Sequence, residues 1–174
     1  MTNKTVIIGS GLAGSECAYQ LAKRGVPVTL IEMRSKKMTP AHHTAEPAEL
    51  VCSNSFRSND LFNAVGLIKE EMATLDSLMM RAAHHSKVPA GSALAVDRDA
   101  FSAFVKTELQ KFDHIEWVND EVLSIDSSAH QFVLELEEGE PIKAEHIVIA
   151  TGPLTSDSLA SWILKQTGEE SLYF

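Results

Sequence analysis

The first hydrophobic run, Val6-Ile7-Ile8, has no polar alternation and stops at Gly9. An unbroken apolar run bounded by glycine suits a parallel strand covered on both faces, so a buried strand is expected over residues 4–9. From Gly11 to Arg24 the apolar positions Ala13, Cys17, Ala18, Leu21 and Ala22 recur at helical spacing, which predicts a helix with Cys17 facing the sheet. Gly25 stands where a glycine C-cap belongs. Residues 26–32, VPVTLIE, read as a second strand and complete a strand-helix-strand unit within residues 1–35. Residues 33–60 lose all periodicity, are polar and contain Pro40 and Pro47. A loop of that length inside a domain is usually functional.

Periodicity returns with Leu61, Val65, Ile68, Met72, Leu75 and Met79, spaced by alternating fours and threes. The spacing predicts one helix from Leu61 to about Ala83, capped by Asn59 or Asp60, with this stripe against the core. A second helix is expected from Asp99 to Phe112, opened by Asp97-Arg98-Asp99 and burying Phe101, Phe104, Val105, Leu109 and Phe112. Short strands follow at 115–118, 122–126, 131–136 and 141–143. The last three form an antiparallel meander with turns at Ser127-Ser128-Ala129 and Glu138-Gly139. A further buried run, 146–150, stops at Thr151-Gly152-Pro153, and a last helix begins near residues 155–157 with Leu159, Trp162 and Ile163 inward.

Composition narrows the class. The chain has 174 residues, 44% of them hydrophobic and 22% charged, which suits one α/β domain with a real core and argues against disorder. No run of eighteen apolar residues occurs, so no membrane helix is expected. The N-terminus enters a strand without a signal-peptide core, and there are only two cysteines, Cys17 and Cys52, so a cytoplasmic protein is expected. A net charge of −9 excludes a surface that is basic throughout, leaving local patches such as Arg34, Lys36 and Lys37 for any nucleic-acid contact.

The chemistry starts at Gly9-Ser10-Gly11-Leu12-Ala13-Gly14, a GxGxxG set between a strand and a helix. Gly9 permits the tight turn, Gly11 lets backbone approach a pyrophosphate, and Gly14 lets helix and strand pack closely. Free N–H groups of the helix then hold the phosphate charge. Glu32 ends the second strand eighteen residues after Gly14, where an acid accepts hydrogen bonds from ribose hydroxyls and disfavours a 2′-phosphate, with Met33 and Arg34 adjoining. The motif does not separate NAD from FAD. The layout does favour FAD: a meander starting at Val122, placed to meet adenine, and a returning strand ending in Ala150-Thr151-Gly152 match flavoproteins of the glutathione-reductase type. Read as domains, residues 1–35 are the dinucleotide unit, 36–98 a flavin-facing loop and helix, 99–118 the start of an inserted segment, and 119–153 the meander and return strand.

Other chemistry-bearing residues are weaker. His42-His43 and His84-His85 lack a carboxylate or cysteine at ligand spacing, so no metal site is expected, and a surface or flavin-loop role suits them. Cys52 sits in the polar stretch ELVCSNSFRSND, with Arg57 near enough in sequence to favour a thiolate.

Five stretches carry a family resemblance: VIIGSGLAGSE, HHTAEPAELVCSNSFRSNDLFNAVGLIKEEM, VPAGSALAVDRDAF, IVIATGPLTSDSLA and TGEESLYF. Together they resemble the N-terminal part of the folate- and FAD-dependent tRNA uracil-5 methyltransferases of bacteria. The related family that installs carboxymethylaminomethyl groups on tRNA uridines shares the glycine motif and the Asp-Arg pair but fits the Cys52 loop less well. The first resemblance implies a Rossmann-like FAD-binding domain. It implies methylenetetrahydrofolate as one-carbon donor, NADH or NADPH as reductant, and 5-methyluridine in the tRNA T-loop as product. It also places Cys52 over the flavin, either attacking the base or assisting one-carbon transfer. Members of that family are much longer, so the chain is expected to be an N-terminal portion. A non-catalytic dinucleotide-binding fragment is the remaining alternative.

Overall fold

Thr5–Ile8 forms the first strand, β1, and its side chains divide between two cores. Ile7 enters one hydrophobic cluster while Val6 and Ile8 enter another, because successive strand residues point to opposite faces. The computed structural model describes residues 4–127 and 131–168. The chain continues through α1 (Leu12–Ala22), β2 (Val28–Ile31), β3 (Ser55–Ser58), α2 (Ala64–Thr74), α3 (Leu78–His85), β4 (Lys87–Val88) and β5 (Ala93–Val96). Then come α4 (Arg98–Leu109), β6 (Ile115–Val118), β7 (Val122–Asp126), β8 (Phe132–Leu136), β9 (Ile142–Ala144), β10 (His146–Ile149) and α5 (Asp157–Thr167).

The main sheet has the order β10-β1-β2-β6, all parallel. One face packs on α1, α3, α4 and β5 through Ile7, Leu30, Leu78, Leu94 and Phe101. The other packs on the meander β7-β8-β9 and on α5 through Ile8, Ile31, Val122, Leu134 and Leu159. Ile7 and Leu30 are fully buried, each worth about 1.5–3 kcal/mol relative to exposure. The expected α/β, Rossmann-like arrangement with a meander is therefore present. The Ser127-Ser128-Ala129 turn and the stretch after Gly168 fall largely outside the described residues.

Several expectations change. The single helix over 61–83 is two helices, because Asp76 takes a left-handed φ of 57° and Ser77 starts afresh as the N-cap of α3. Glu16 on α1 holds that new start, accepting hydrogen bonds from Ser77 Oγ (2.8 Å), Leu78 N (3.1 Å) and Met79 N (2.9 Å). Most of the apolar stripe is turned from the core: Leu61, Ile68 and Leu75 are exposed, Val65 and Met72 are half-buried, and only Met79, on α3, is buried. Instead α2 turns Gly66 and Lys69 inward, and the Lys69 ammonium donates to the carbonyls of Phe56 (2.7 Å) and Ser58.

On α1 the buried face is Gly14, Ser15, Ala18, Tyr19 and Ala22, one position round from the expected stripe, which leaves Ala13 exposed and Cys17 half-buried. Ile115–Val118 extends the main sheet beside β2 instead of opening an insertion, since the intervening α4 returns the chain parallel to β2. The polar stretch supplies β3 to an antiparallel sheet, β3-β5-β4, that periodicity did not predict. β10, expected to be buried, is an edge strand with Ile149 37% exposed.

Candidate functional site

The carboxyl ends of β1, β2 and β10 open onto one cleft, where ligands of open α/β sheets bind. It holds about 520 Å3 of space unfilled by protein, part of it open to solvent. Of the expected residues, Gly9, Gly11, Glu32, Met33, Arg34, Val122 and Thr151 line it.

Sterics demand glycine at two of the motif's positions, Gly9 and Gly14. Gly9 has φ +96°, and a Cβ there would meet the Ala150 carbonyl oxygen at 2.9 Å. A Cβ on Gly14 would sit 1.9 Å from the Gly9 oxygen, so only glycine lets α1 cross β1 this closely. A Cβ on Gly11 would meet nothing within 4 Å, so the loop's outer face is clear for a ligand. Gly11 begins α1 without a side-chain cap or an acid in the first turn, so the N–H groups at Leu12 and Ala13 stay available. Leu12, Ala13, Ser10, Gly14 and Gly152 lie outside the cleft lining. Gly152, with φ +64°, turns the chain away from β10.

Ser10 acts through Glu32. Its N–H (2.9 Å) and Oγ (2.7 Å) both donate to Glu32 Oε2, which also accepts from Arg34 Nη2 at 2.9 Å. Oε1 accepts the Arg34 N–H, at 3.0 Å, and keeps capacity for a ribose hydroxyl. Burial pushes the Glu32 carboxyl up, but the Arg34 guanidinium and the Ser10 donors outweigh it and hold the group at about 2.

Arg34 is 4% exposed and clamped between Glu32 and Glu49, the latter at 3.6 Å. Lys36 pairs with Glu138 at 2.6 Å and Asp120 at 3.5 Å, and Lys37 with Glu121 at 2.8 Å. The expected basic patch of Arg34, Lys36 and Lys37 is thus neutralised by carboxylates, and of the three only Arg34 lines the cleft. Lys36 and Lys37 tie the chain after β2 to Asp120 and Glu121 in the β6–β7 connection.

Among the described residues, three buried side-chain atoms lack any hydrogen-bond partner: Arg34 Nη1, Glu121 Oε1 and Thr155 Oγ1. All three residues line this cleft. Arg34 Nη1 still faces Glu49 Oε2 at 3.6 Å, but Glu121 Oε1 and Thr155 Oγ1 have no partner, and because buried polar atoms are rarely left so, they mark a place where a polar ligand completes the structure. A dinucleotide fits that donor and acceptor set: phosphates and hydroxyls for Arg34 and Thr155, and hydrogen-bond donors for Glu121.

Sequence reading did not single out Glu121 or Thr155 as site residues. It also left His42 undecided. His42 lines the cleft, accompanied by Thr39, whose Oγ1 lies 2.5 Å from His42 Nδ1. Burial and the nearby Arg34 charge lower its pKa. Cys52 is exposed on the loop before β3 and is not among the cleft-lining residues, and Arg57 is exposed on β3 with φ 62°. Cys17 lines a separate groove with Met72 and Leu75, and burial raises its thiol pKa. Among the described residues there is no cluster suited to a metal ion, and no helix long and apolar enough to cross a membrane.

Comparison with known proteins places this geometry in a family. The chain is 52% identical over 174 residues to the methylenetetrahydrofolate–tRNA-(uracil-5-)-methyltransferase TrmFO of Staphylococcus saprophyticus, matching 100% of this chain and 36% of that protein. The protein of the same name from Lactobacillus helveticus is 53% identical over 174 residues, with 39% of its length matched. This chain therefore spans little more than a third of these relatives. Among solved structures, Aquifex aeolicus GidA superposes with a TM-score of 0.68 at 17% identity, over 86% of this chain and 25% of that one, which shows a shared fold. The family model described as glucose inhibited division protein A matches residues 4–172, and the chain belongs to that family.

Proposed function

We propose that these residues form the adenosine and pyrophosphate part of an FAD site in an enzyme that converts a T-loop uridine of tRNA to 5-methyluridine. Methylenetetrahydrofolate would be the one-carbon donor and NADH or NADPH the reductant. The observation that carries the cofactor reading is that Glu121 and Thr155, each with a buried side-chain oxygen that has no partner, both line the glycine-loop cleft. The names of the relatives at 52% and 53% identity support the reaction and favour it over carboxymethylaminomethyl transfer.

The residues divide the work. Gly9 and Gly11 bring the backbone to the pyrophosphate, and the uncapped N-terminus of α1 stabilises its charge. Glu32 Oε1 accepts a ribose hydroxyl while Ser10 and Arg34 hold the other oxygen in place. Bound and reduced, the flavin supplies the electrons that turn a methylene into a methyl group. Uracil C5 is a weak nucleophile until something adds at C6, and the free, exposed Cys52 side chain suits that addition or the handling of the one-carbon unit.

Two measurements test the reading. A visible spectrum of the purified chain, with the released chromophore identified, is expected to report FAD. A colourless protein whose melting temperature FAD does not move would remove the cofactor. In a protein of the relatives' full length carrying these residues, Cys52→Ala is expected to abolish folate-dependent 5-methyluridine formation while leaving bound flavin unchanged. Undiminished methylation would remove Cys52 from the chemistry.

A further inference from the structure

Glu121 stands one strand farther along the cleft than Glu32. The phosphate-binding turn follows β1, the ribose acid follows β2, and Glu121 follows β6, the next strand in the sheet. A dinucleotide laid along these carboxyl ends therefore runs phosphate, ribose, base in that order, and its base reaches the β6–β7 connection. Glu121 is 1% exposed and lines the cleft beside Val122. Its Oε2 accepts from the Lys37 ammonium at 2.8 Å, while its Oε1 is buried with no partner. Its backbone is engaged as well: its N–H donates to Asp120 Oδ1 at 2.9 Å and its carbonyl accepts from Glu137 N at 3.0 Å.

The pieces make a rigid acceptor. A carboxylate paired with lysine only accepts hydrogen bonds. Buried and unpaired, it carries a desolvation cost that a ligand N–H would remove. We infer that Glu121 is a base-reading residue, its Oε1 accepting the exocyclic 6-amino group of adenine, with Lys37 fixing the carboxylate in place. The inference rests on the adenine-dinucleotide reading of the cleft and deepens it, giving the site selectivity for an aminopurine through a side chain outside the glycine motif.

The test compares ADP with the diphosphate of purine riboside, which lacks only the 6-amino group, by calorimetry on the wild-type chain and on Glu121→Gln. The variant keeps its amide oxygen on Lys37 and turns an N–H2 donor toward the base, so the shape is preserved and the acceptor lost. Wild type is expected to prefer ADP by about tenfold, the scale of one hydrogen bond to a charged group, and Glu121→Gln to show no preference. Matched melting temperatures for the unliganded proteins establish that both are folded. Equal binding of the two nucleotides by wild type, or a preference that survives in the variant, overturns the inference and leaves the dinucleotide reading intact. Failure of wild type to bind ADP or FAD at all overturns both.

Discussion

Replacing Glu32 with glutamine removes one charge from a fully assembled network and changes almost no volume. The Glu32 carboxyl is held at about 2, against 4.5 for an ordinary glutamate. At about 1.4 kcal/mol per unit, this gap corresponds to roughly 3 kcal/mol of native-state stability. Because the folded pKa is depressed, that stability is fully present above pH 4.5 and is lost as pH falls toward 2. The substituted amide would keep one acceptor for the Ser10 donors, but it would present an N–H2 group or a weaker acceptor to Arg34, which would retain Ser10 Oγ at 3.1 Å and, as its remaining carboxylate, Glu49 at 3.6 Å.

The assay is urea unfolding followed by the fluorescence of Trp117 and Trp162, on wild type and Glu32→Gln in parallel. The expected difference is about 3 kcal/mol at pH 7, narrowing to about 1.4 kcal/mol at pH 3. Glu108 and Asp120, whose carboxyls are also lowered and whose partners lie outside the Glu32–Arg34 pair, titrate in both proteins and largely cancel from the difference. A gap below about 1 kcal/mol at pH 7, or one that stays constant down to pH 3, would refute the account of Glu32 as a charge stabilised by Arg34 and Ser10.

Two other perturbations probe the scaffold. Gly14→Ala places a methyl 1.9 Å from the Gly9 oxygen, so α1 must move off β1. We expect loss of nucleotide binding with a melting temperature several degrees lower, and binding at wild-type affinity would contradict the close-approach argument. Lys69→Met removes the ammonium that the Phe56 and Ser58 carbonyls share, and is expected to cost about 1–3 kcal/mol in chemical denaturation. It should also speed proteolysis of the 52–58 segment, and an unchanged cleavage rate would mean that Lys69 does not hold that segment.

Local chemistry made part of this protein legible without a structure. The run Val6-Ile7-Ile8, the glycines at 9, 11 and 14, and Glu32 at the end of the next strand each carry their meaning within a few residues, because turn geometry and strand burial are local constraints. The last helix was equally readable: Ser156 caps it, Leu159 is buried, and Trp162 Nε1 donates to the Ile125 carbonyl at 2.6 Å. The stripe from Leu61 to Met79 misled because period alone cannot say which face of a helix meets protein. Lys69 turned inward once the β3 carbonyls were there to receive it, and Glu16, far earlier in the chain, decided where α3 begins. The cleft was hidden for the same reason. Arg34, Glu121 and Thr155 are far apart along the chain, and they line one cleft only after β6 has docked beside β2 and α5 has closed on the meander. A sequence specifies which groups must be satisfied locally, and only the tertiary fold decides which buried groups are left for a ligand.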